Sequence, residues 1–208
     1  MLVDMHLHEK TYSPDSFQSL EDMVEKARKI GLDAICITDH DSMGLKKYAE
    51  EYSKKVDFPI FVGVEFFSLE GDITAFGIDS IPSRRLSAQQ FIDYVAERGG
   101  VCFSCHPFRN NNRGLEENLK VVKKLTGVEV LNGSTDYAAN KKAFEYCREL
   151  GIMPIGSSDA HDLEQLGKYA TWFPNNVNSL RDFVAEIKKG ISKAAIFEEN
   201  KYRIVDSI

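Results

Sequence analysis

Short apolar runs alternate along this chain with segments whose apolar residues recur every three or four positions. The first run, Leu2-Val3-Asp4-Met5-His6-Leu7-His8, reads as a strand, and the polar, proline-containing stretch 9–16 after it reads as a loop. From Ser19 to Ile30, the residues Leu20, Met23, Val24, Ala27 and Ile30 fall at helical spacing, and Gly31 stops the helix. Ala34–Thr38 forms a second strand, and Ser42 is placed to cap a helix running to about Ser53. The strand Pro59–Val64 ends at Glu65, Asp72–Ile78 alternates in part like a strand, and Ser87 caps a helix to about Arg98 that Gly99-Gly100 closes. The pattern continues with Val101–Cys105 (strand), Leu115–Leu125 (helix), Val128–Leu131 (strand), Tyr137–Leu150 (helix) and Ile152–Gly156 (strand). Lys168–Phe173 is a strand and Ser179–Lys189 a helix, with Ala194–Phe197 and Tyr202–Val205 as closing strands. Strand alternating with helix predicts an α/β fold with a mostly parallel sheet, and buried-type strands each followed by a helix favour a barrel over an open sheet. No linker, repeat or low-complexity segment divides the 208 residues, so a single domain spanning 1–208 is expected.

Composition narrows the functional classes. An apolar share of 43% supplies an ordinary core. The net charge of −6 argues against a protein that coats nucleic acid, yet leaves room for a small anionic substrate, because bound metals reverse the local sign. No basic leader with a cleavage site opens the chain and no apolar run is long enough to span a bilayer, so a cytoplasmic protein without a membrane partner is expected. Oligomeric state has no signature. The four cysteines, Cys36, Cys102, Cys105 and Cys147, do not form a secreted disulfide framework. Cys102 and Cys105 make a C-x-x-C, but inside an apolar strand that spacing sends the sulfurs to opposite faces, and both read as core residues.

The histidines change the picture. All five, His6, His8, His40, His106 and His161, close an apolar strand or lie just beyond one, as do Glu65 and Asp159. In parallel α/β folds the strand C-termini converge on one rim, where distant residues meet. His6 and His8, two apart in a strand, project side by side. Nitrogen and carboxylate ligands without cysteine suit Zn²⁺, Mn²⁺ or Fe²⁺, and the candidates exceed the needs of one ion. Two or three divalent metals bridged by a carboxylate would use them all; such clusters generate hydroxide near neutral pH and clamp the oxygens of an in-line displacement at phosphorus.

Asp4-x-His6-x-His8, Ser13-x-Asp15, Ile37-Thr38-Asp39-His40, Gly63-Val64-Glu65, His106-Pro107 and Ser158-Asp159-Ala160-His161, taken in order, resemble the PHP (polymerase and histidinol phosphatase) family. The resemblance implies a distorted TIM-like (β/α)7 barrel and a metal-dependent phosphoesterase. It also implies that His6, His8, Glu65 and Asp159 hold a first metal, that Glu65 bridges to a second also bound by His106, and that Asp15, His40 and His161 hold a third. On this reading Asp15, Glu65 and Asp159 are the catalytic residues, with Asp15 a candidate to protonate the leaving alkoxide. Asp4 and Asp39 are expected to support ligands rather than be ligands. Arg109 and Asn132 are candidate substrate contacts; Arg113, Lys120, Lys123 and Lys124 read as a solvated basic face. The chain departs from the family at Thr74, three residues before Gly77, where a further histidine for the second metal is usual; Asp72, on the same strand face, is a nearby substitute.

The expected function is hydrolysis of a phosphate mono- or diester of a small molecule or nucleotide, by a hydroxide bridging two metals, with a small phosphorylated compound or a short nucleic acid as partner. The alternatives are a 3′–5′ exonuclease or proofreading nuclease, a C–N hydrolase of amidohydrolase type, and a degenerate metal-binding barrel without activity. Amidohydrolase barrels typically bridge their metals with a lysine, and no lysine convincingly ends a strand here.

Overall fold

The computed structural model describes residues 1–208. Its first sheet is built around β1 (Leu2–Leu7), which pairs in parallel with β2 (Ala34–Ile37) on one side and antiparallel with β9 (Tyr169–Trp172) on the other. β3 (Ile60–Val62) extends this sheet beyond β2, and β10 (Lys193–Glu198) and β11 (Lys201–Ile204) extend it beyond β9. The second sheet runs in chain order through β4 (Val64–Phe67), β5 (Asp72–Phe76), β6 (Val101–Ser104), β7 (Gly127–Asn132) and β8 (Met153–Ser157). Five α-helices are present: α1 (Leu20–Lys29), α2 (Lys46–Val56), α3 (Ala88–Glu97), α4 (Tyr137–Leu150) and α5 (Leu180–Ile187). None is long and apolar enough to cross a membrane.

The expected (β/α)7 barrel is therefore not what forms. The ladders close into two separate mixed sheets, of six and five strands, rather than one cylinder. The α-helix that a barrel needs between strands is missing repeatedly: β3, β4 and β5 follow one another directly, as do β8 and β9, and β10 and β11, and only a 3₁₀ turn lies between β6 and β7. Short connections force antiparallel pairing, because a parallel neighbour needs a long crossover. β4 and β5 accordingly form a hairpin, and Glu199 and Asn200, both at positive φ, make the tight turn between β10 and β11.

Where the sheets part, they remain stitched at both seams. At one, Glu65 N donates to Asp39 O at 3.2 Å and Asp41 N to Glu65 O at 2.9 Å. At the other, the Thr171 hydroxyl replaces ladder bonds by accepting from Gly156 N at 3.0 Å and donating to Gly156 O at 2.8 Å. Gly156 has to be glycine for this approach, since a Cβ there would lie 2.4 Å from Ala170 O.

Between the sheets lies an apolar plug that includes Met5 and Phe61 from the first sheet, Phe76, Phe103 and Ile155 from the second, and Phe183 from α5. The Phe183 ring stacks on Phe61 at 4.3 Å and meets the edges of Phe76 and Phe173 at 5.8 and 5.5 Å. α1 and α2 cover the first sheet's outer face, and α3 covers the second, with Phe91 stacked on Phe66 at 4.0 Å.

Most helix starts follow the local signals. Ser19 and Ser179 each accept from a backbone N–H in the first turn, Ser87 completes a capping box with Gln90, and Asp136 caps α4. Two expectations differ. Ser42 accepts from Gly44 N and caps no helix, so α2 starts only at Lys46. The segment 115–125 forms only a 3₁₀ turn at Glu116–Lys120, because Glu116 and Lys124 take positive φ, which breaks an α-helix.

Phe183→Ala should remove about 3–5 kcal/mol of unfolding free energy, the usual cost of emptying a fully buried aromatic site. Chemical denaturation measures this; a loss below about 1 kcal/mol would contradict the plug as the element that joins the sheets.

Candidate metal centre

β1 delivers His6 and His8 to one place, as strand alternation requires. Both rings are fully buried, and their Nε2 atoms lie 3.0 Å apart. Each ring is held from behind. His6 Nδ1 lies 3.2 Å from Glu129 Oε1, and His8 Nδ1 lies 3.2 Å from Ser13 Oγ. The Ser13 hydroxyl donates its one hydrogen to Asp39 Oδ1 at 2.8 Å, so it accepts from His8 Nδ1. That leaves the Nε2 lone pair of neutral His8 directed at His6 and the acids beyond.

Glu65 and Asp159 fill the space in front of this pair. Glu65 Oε1 accepts from His106 Nε2 at 2.8 Å, and Oε2 lies 3.5 Å from both His6 Nε2 and His8 Nε2. Asp159 Oδ1 lies 3.2 Å from His8 Nε2 and 3.5 Å from His6 Nε2. His40 and His161 each stack on His8 at 4.3 Å, and their Nε2 atoms approach Asp15 Oδ2 at 3.2 and 3.4 Å. Asp15 is more than half exposed and sits at the mouth. Every side chain that the sequence marks as a candidate ligand thus reaches one basin. It opens through a cavity of about 160 Å³ with no hydrophobic lining residue. A larger hollow of about 370 Å³ around Ile78, Leu180 and Val184 gathers no such cluster.

Backbone geometry at the strand ends contributes to the aim. Asp41, His106 and Asp159 all take positive φ, an uncommon conformation for residues with a side chain, and they follow β2, β6 and β8 where the chain must turn back over the basin.

The charges are strongly coupled. Burial would raise the Glu65 carboxyl, but the His6 charge and the adjacent His106 and His40 rings hold it well below its ordinary value. Asp159 behaves alike: burial opposes ionisation, while His6, His8 and Arg109 drive it well below. Burial disfavours charge on His6 too, yet Asp159, Glu65 and Glu129 carry it well above the ordinary imidazole value. Burial pushes His8 down to about 4. One imidazolium and one neutral ring therefore face each other, and a proton occupies the point where buried carboxylates call for positive charge.

The remaining candidates are placed less simply. Arg109 lines the cavity and donates through Nη2 to Asp159 Oδ2 and Asn132 Oδ1. Asn132 is fully buried with both amide ends engaged: Nδ2 donates to Glu129 Oε2 at 2.7 Å and Asp159 Oδ2 at 3.1 Å, while Oδ1 accepts from Arg109, Ser134 N and Thr135 Oγ1. Asp4 touches no ligand ring; it accepts from Ser158 N and Gly167 N, both at 3.0 Å, and so anchors the loop that carries Asp159. Thr74 is buried, and its hydroxyl has no hydrogen-bond partner.

Sequence reasoning missed Glu129. It is completely buried and accepts from His6 Nδ1, His106 N (2.6 Å), Asn132 Nδ2 and Ser157 Oγ. Its signal is visible afterwards: it is the only charge in the otherwise apolar stretch of β7. Cys105 is a core residue as expected, but its thiol also lies 3.4 Å from Glu65 Oε1. Arg113, assigned to a solvated face, instead reaches inward and donates to Asp72 at 2.6 Å.

Comparison with known proteins gives the same direction. A family model described as PHP-associated matches residues 138–191, a stretch that includes the Ser158–His161 motif but not the earlier ones. The fold resembles a Bifidobacterium adolescentis protein described as a metal-dependent phosphoesterase (TM-score 0.66, 19% identity, 90% of this chain and 96% of the other). It also resembles a lesion-specific endonuclease from Pyrococcus furiosus (TM-score 0.68, 17% identity, 93% of this chain and 57% of the other). An uncharacterised protein of Methanocaldococcus jannaschii is 27% identical to this chain over 142 residues, which is 64% of the chain and 82% of that protein.

The donor set of the basin fits divalent cations. Four groups of three ligand-type side chains have atoms within 4.8 Å of one another, among them His8-His40-His161, His6-His8-Asp159 and Glu65-Asp72-His106. Glu65 Oε2 and His40 Nδ1 are buried and 2.7 Å apart, yet neither has a properly directed hydrogen bond. Such a contact lacks a partner that a shared cation provides.

Glu129→Gln tests the support behind the rings. All four groups that face Glu129 are donors, so the new amide NH₂ must oppose one of them. Divalent-metal affinity should fall about 10- to 100-fold with the circular dichroism spectrum unchanged. Unchanged affinity would mean that Glu129 does not orient the basin.

Proposed function

We propose that this chain is a PHP-type metal-dependent phosphoesterase that hydrolyses a phosphate ester of a small molecule, nucleotide or short nucleic acid in the basin around Glu65. The observation that carries this is the convergence of His6, His8, Glu65, His106 and Asp159 in one basin, beneath a polar cavity that Arg109 and Arg113 line. His6, His8, Glu65 and Asp159 would hold one cation, Glu65 and His106 a second, and Asp15, His40 and His161 a third, with Zn²⁺, Mn²⁺ or Fe²⁺ suited to imidazole-rich positions. Bound divalent cations supply Lewis acidity toward phosphoryl oxygens and lower the pKa of water at the site.

The chain's own residues do the rest. Glu129 and Ser13 fix the His6 and His8 rings, so little reorganisation is needed on substrate binding. Arg109 keeps Nη1 clear of the bonds that its Nη2 and Nε make, and that end is available to a phosphate oxygen at the cavity wall. Asp15 opposes the role of proton donor: burial would raise its carboxyl, but His40 and His161 bring it below the ordinary value, so it is ionised at neutral pH. It suits a ligand, and the leaving alkoxide takes its proton elsewhere. Absence of lysine from the cavity lining weighs against an amidohydrolase-type bridge.

His8→Ala and Asp159→Ala should each cut phosphate release from a panel of nucleotides, sugar phosphates and short oligonucleotides by at least about 100-fold and lower bound metal, since loss of a ligand exceeds loss of its outer partner. Activity that survives both substitutions would overturn the proposal.

A further inference from the structure

We propose that Asp72 is a ligand, so that Glu65, Asp72 and His106 form a carboxylate-rich site selective for a hard divalent cation such as Mn²⁺, and that Arg113 holds Asp72 in place when no cation is bound. The inference rests on the reading of the basin as a metal centre and adds to it a residue, a selectivity and an exchange.

Asp72 opens β5, opposite Phe67 on β4, and Thr74 lies opposite Glu65. This register brings Asp72 to the basin's edge. It is only 1% exposed, and a ligand atom from each of Glu65, Asp72 and His106 lies within 4.8 Å of the others. Asp72 Oδ2 is 3.8 Å from His106 Nε2 and accepts from Arg113 Nε, while Oδ1 is buried with no hydrogen-bond partner at all. A structural ion pair buried this deeply would be expected to satisfy both oxygens, because an orphaned carboxylate oxygen is costly. Here one oxygen is tied up by a side chain that enters from the rim and is itself a third exposed, and the other is left over. In the same position the Arg113 guanidinium lies 4.0 Å from the Phe67 ring centroid, so the aromatic face holds it beside Asp72 as well.

Chemistry then distinguishes this site from its neighbours. As assigned above, Asp15-His40-His161 offers two imidazoles and one acid, and His6-His8-Glu65-Asp159 two imidazoles and two acids. Glu65-Asp72-His106 alone has more acids than imidazoles, two to one. Oxygen-rich sets favour Mn²⁺ and Mg²⁺, nitrogen-rich sets Zn²⁺.

The experiment is metal binding by the whole chain, with Mn²⁺ and Zn²⁺ stoichiometry by elemental analysis and Mn²⁺ affinity by titration followed by electron paramagnetic resonance. In Asp72→Asn, one Mn²⁺ equivalent should weaken by at least about 10-fold while the other bound metal is retained. Asp72→His should pass that equivalent to Zn²⁺ when both ions compete. Arg113→Met, which removes the competing cation, should tighten the same equivalent. Unchanged Mn²⁺ binding in Asp72→Asn, or weaker Mn²⁺ binding in Arg113→Met, overturns the proposal. If wild-type chain and variants bind the same complement and retain phosphatase activity, Asp72 alone fails; if wild type binds no divalent ion, the metal-centre reading fails with it.

Discussion

The constraint on which this structure depends is the burial of the Glu65 carboxylate. A charged acid with 1% exposure is tolerable only when positive charge or directed hydrogen bonds surround it. Four histidines supply that surrounding: His106 donates to it, His40 abuts it, and His6 and His8 face it. The arrangement is satisfied electrostatically but not geometrically, since Oε2 sits among nitrogens without a well-aligned bond. Proteins accept such frustration where a ligand relieves it. Proton uptake by His6 is the cation-free form of the same demand.

The architecture serves this point from two sheets rather than one closed wall. Glu65 is the second residue of β4, at the seam where the first sheet ends, and its backbone bonds to Asp39 and Asp41 set its height against His40. The opposite seam brings β8 beside β9, with Asp4 gripping the loop that carries Asp159. Apolar packing supplies rigidity from below, through the phenylalanine plug, and buried polar side chains supply aim from behind the rings. The two systems meet in β1, whose Met5 enters the plug while His6 and His8 enter the basin.

Much of the basin was legible in the sequence because a strand end is a local signal. An apolar run that stops at a histidine or acid announces both the element and the direction of its last side chain, and His6, His40, His106 and Asp159 each do so. Sheet closure was not legible, because ladder pairing is a long-range property that periodicity does not encode. The hairpin at β4–β5 looks locally like two more barrel strands, and only the short connection betrays it. The 115–125 segment has helical spacing at Leu115 and Leu119, but Glu116 and Lys124 adopt left-handed backbone that spacing does not reveal. Glu129 and Arg113 were missed for a different reason. One hides in an apolar strand and the other in a basic loop, and the partners that give each its role in the basin, His6 for Glu129 and Asp72 for Arg113, lie more than twenty residues away.

Anomalous diffraction from crystals grown with Mn²⁺ is the sharpest test of the basin as a metal centre. Manganese peaks should appear inside it, with Glu65 bound to more than one ion and His6, His8, His106 and Asp159 turned toward them. Ordered Glu65, His106 and Asp159 side chains with no anomalous density among them would contradict that reading.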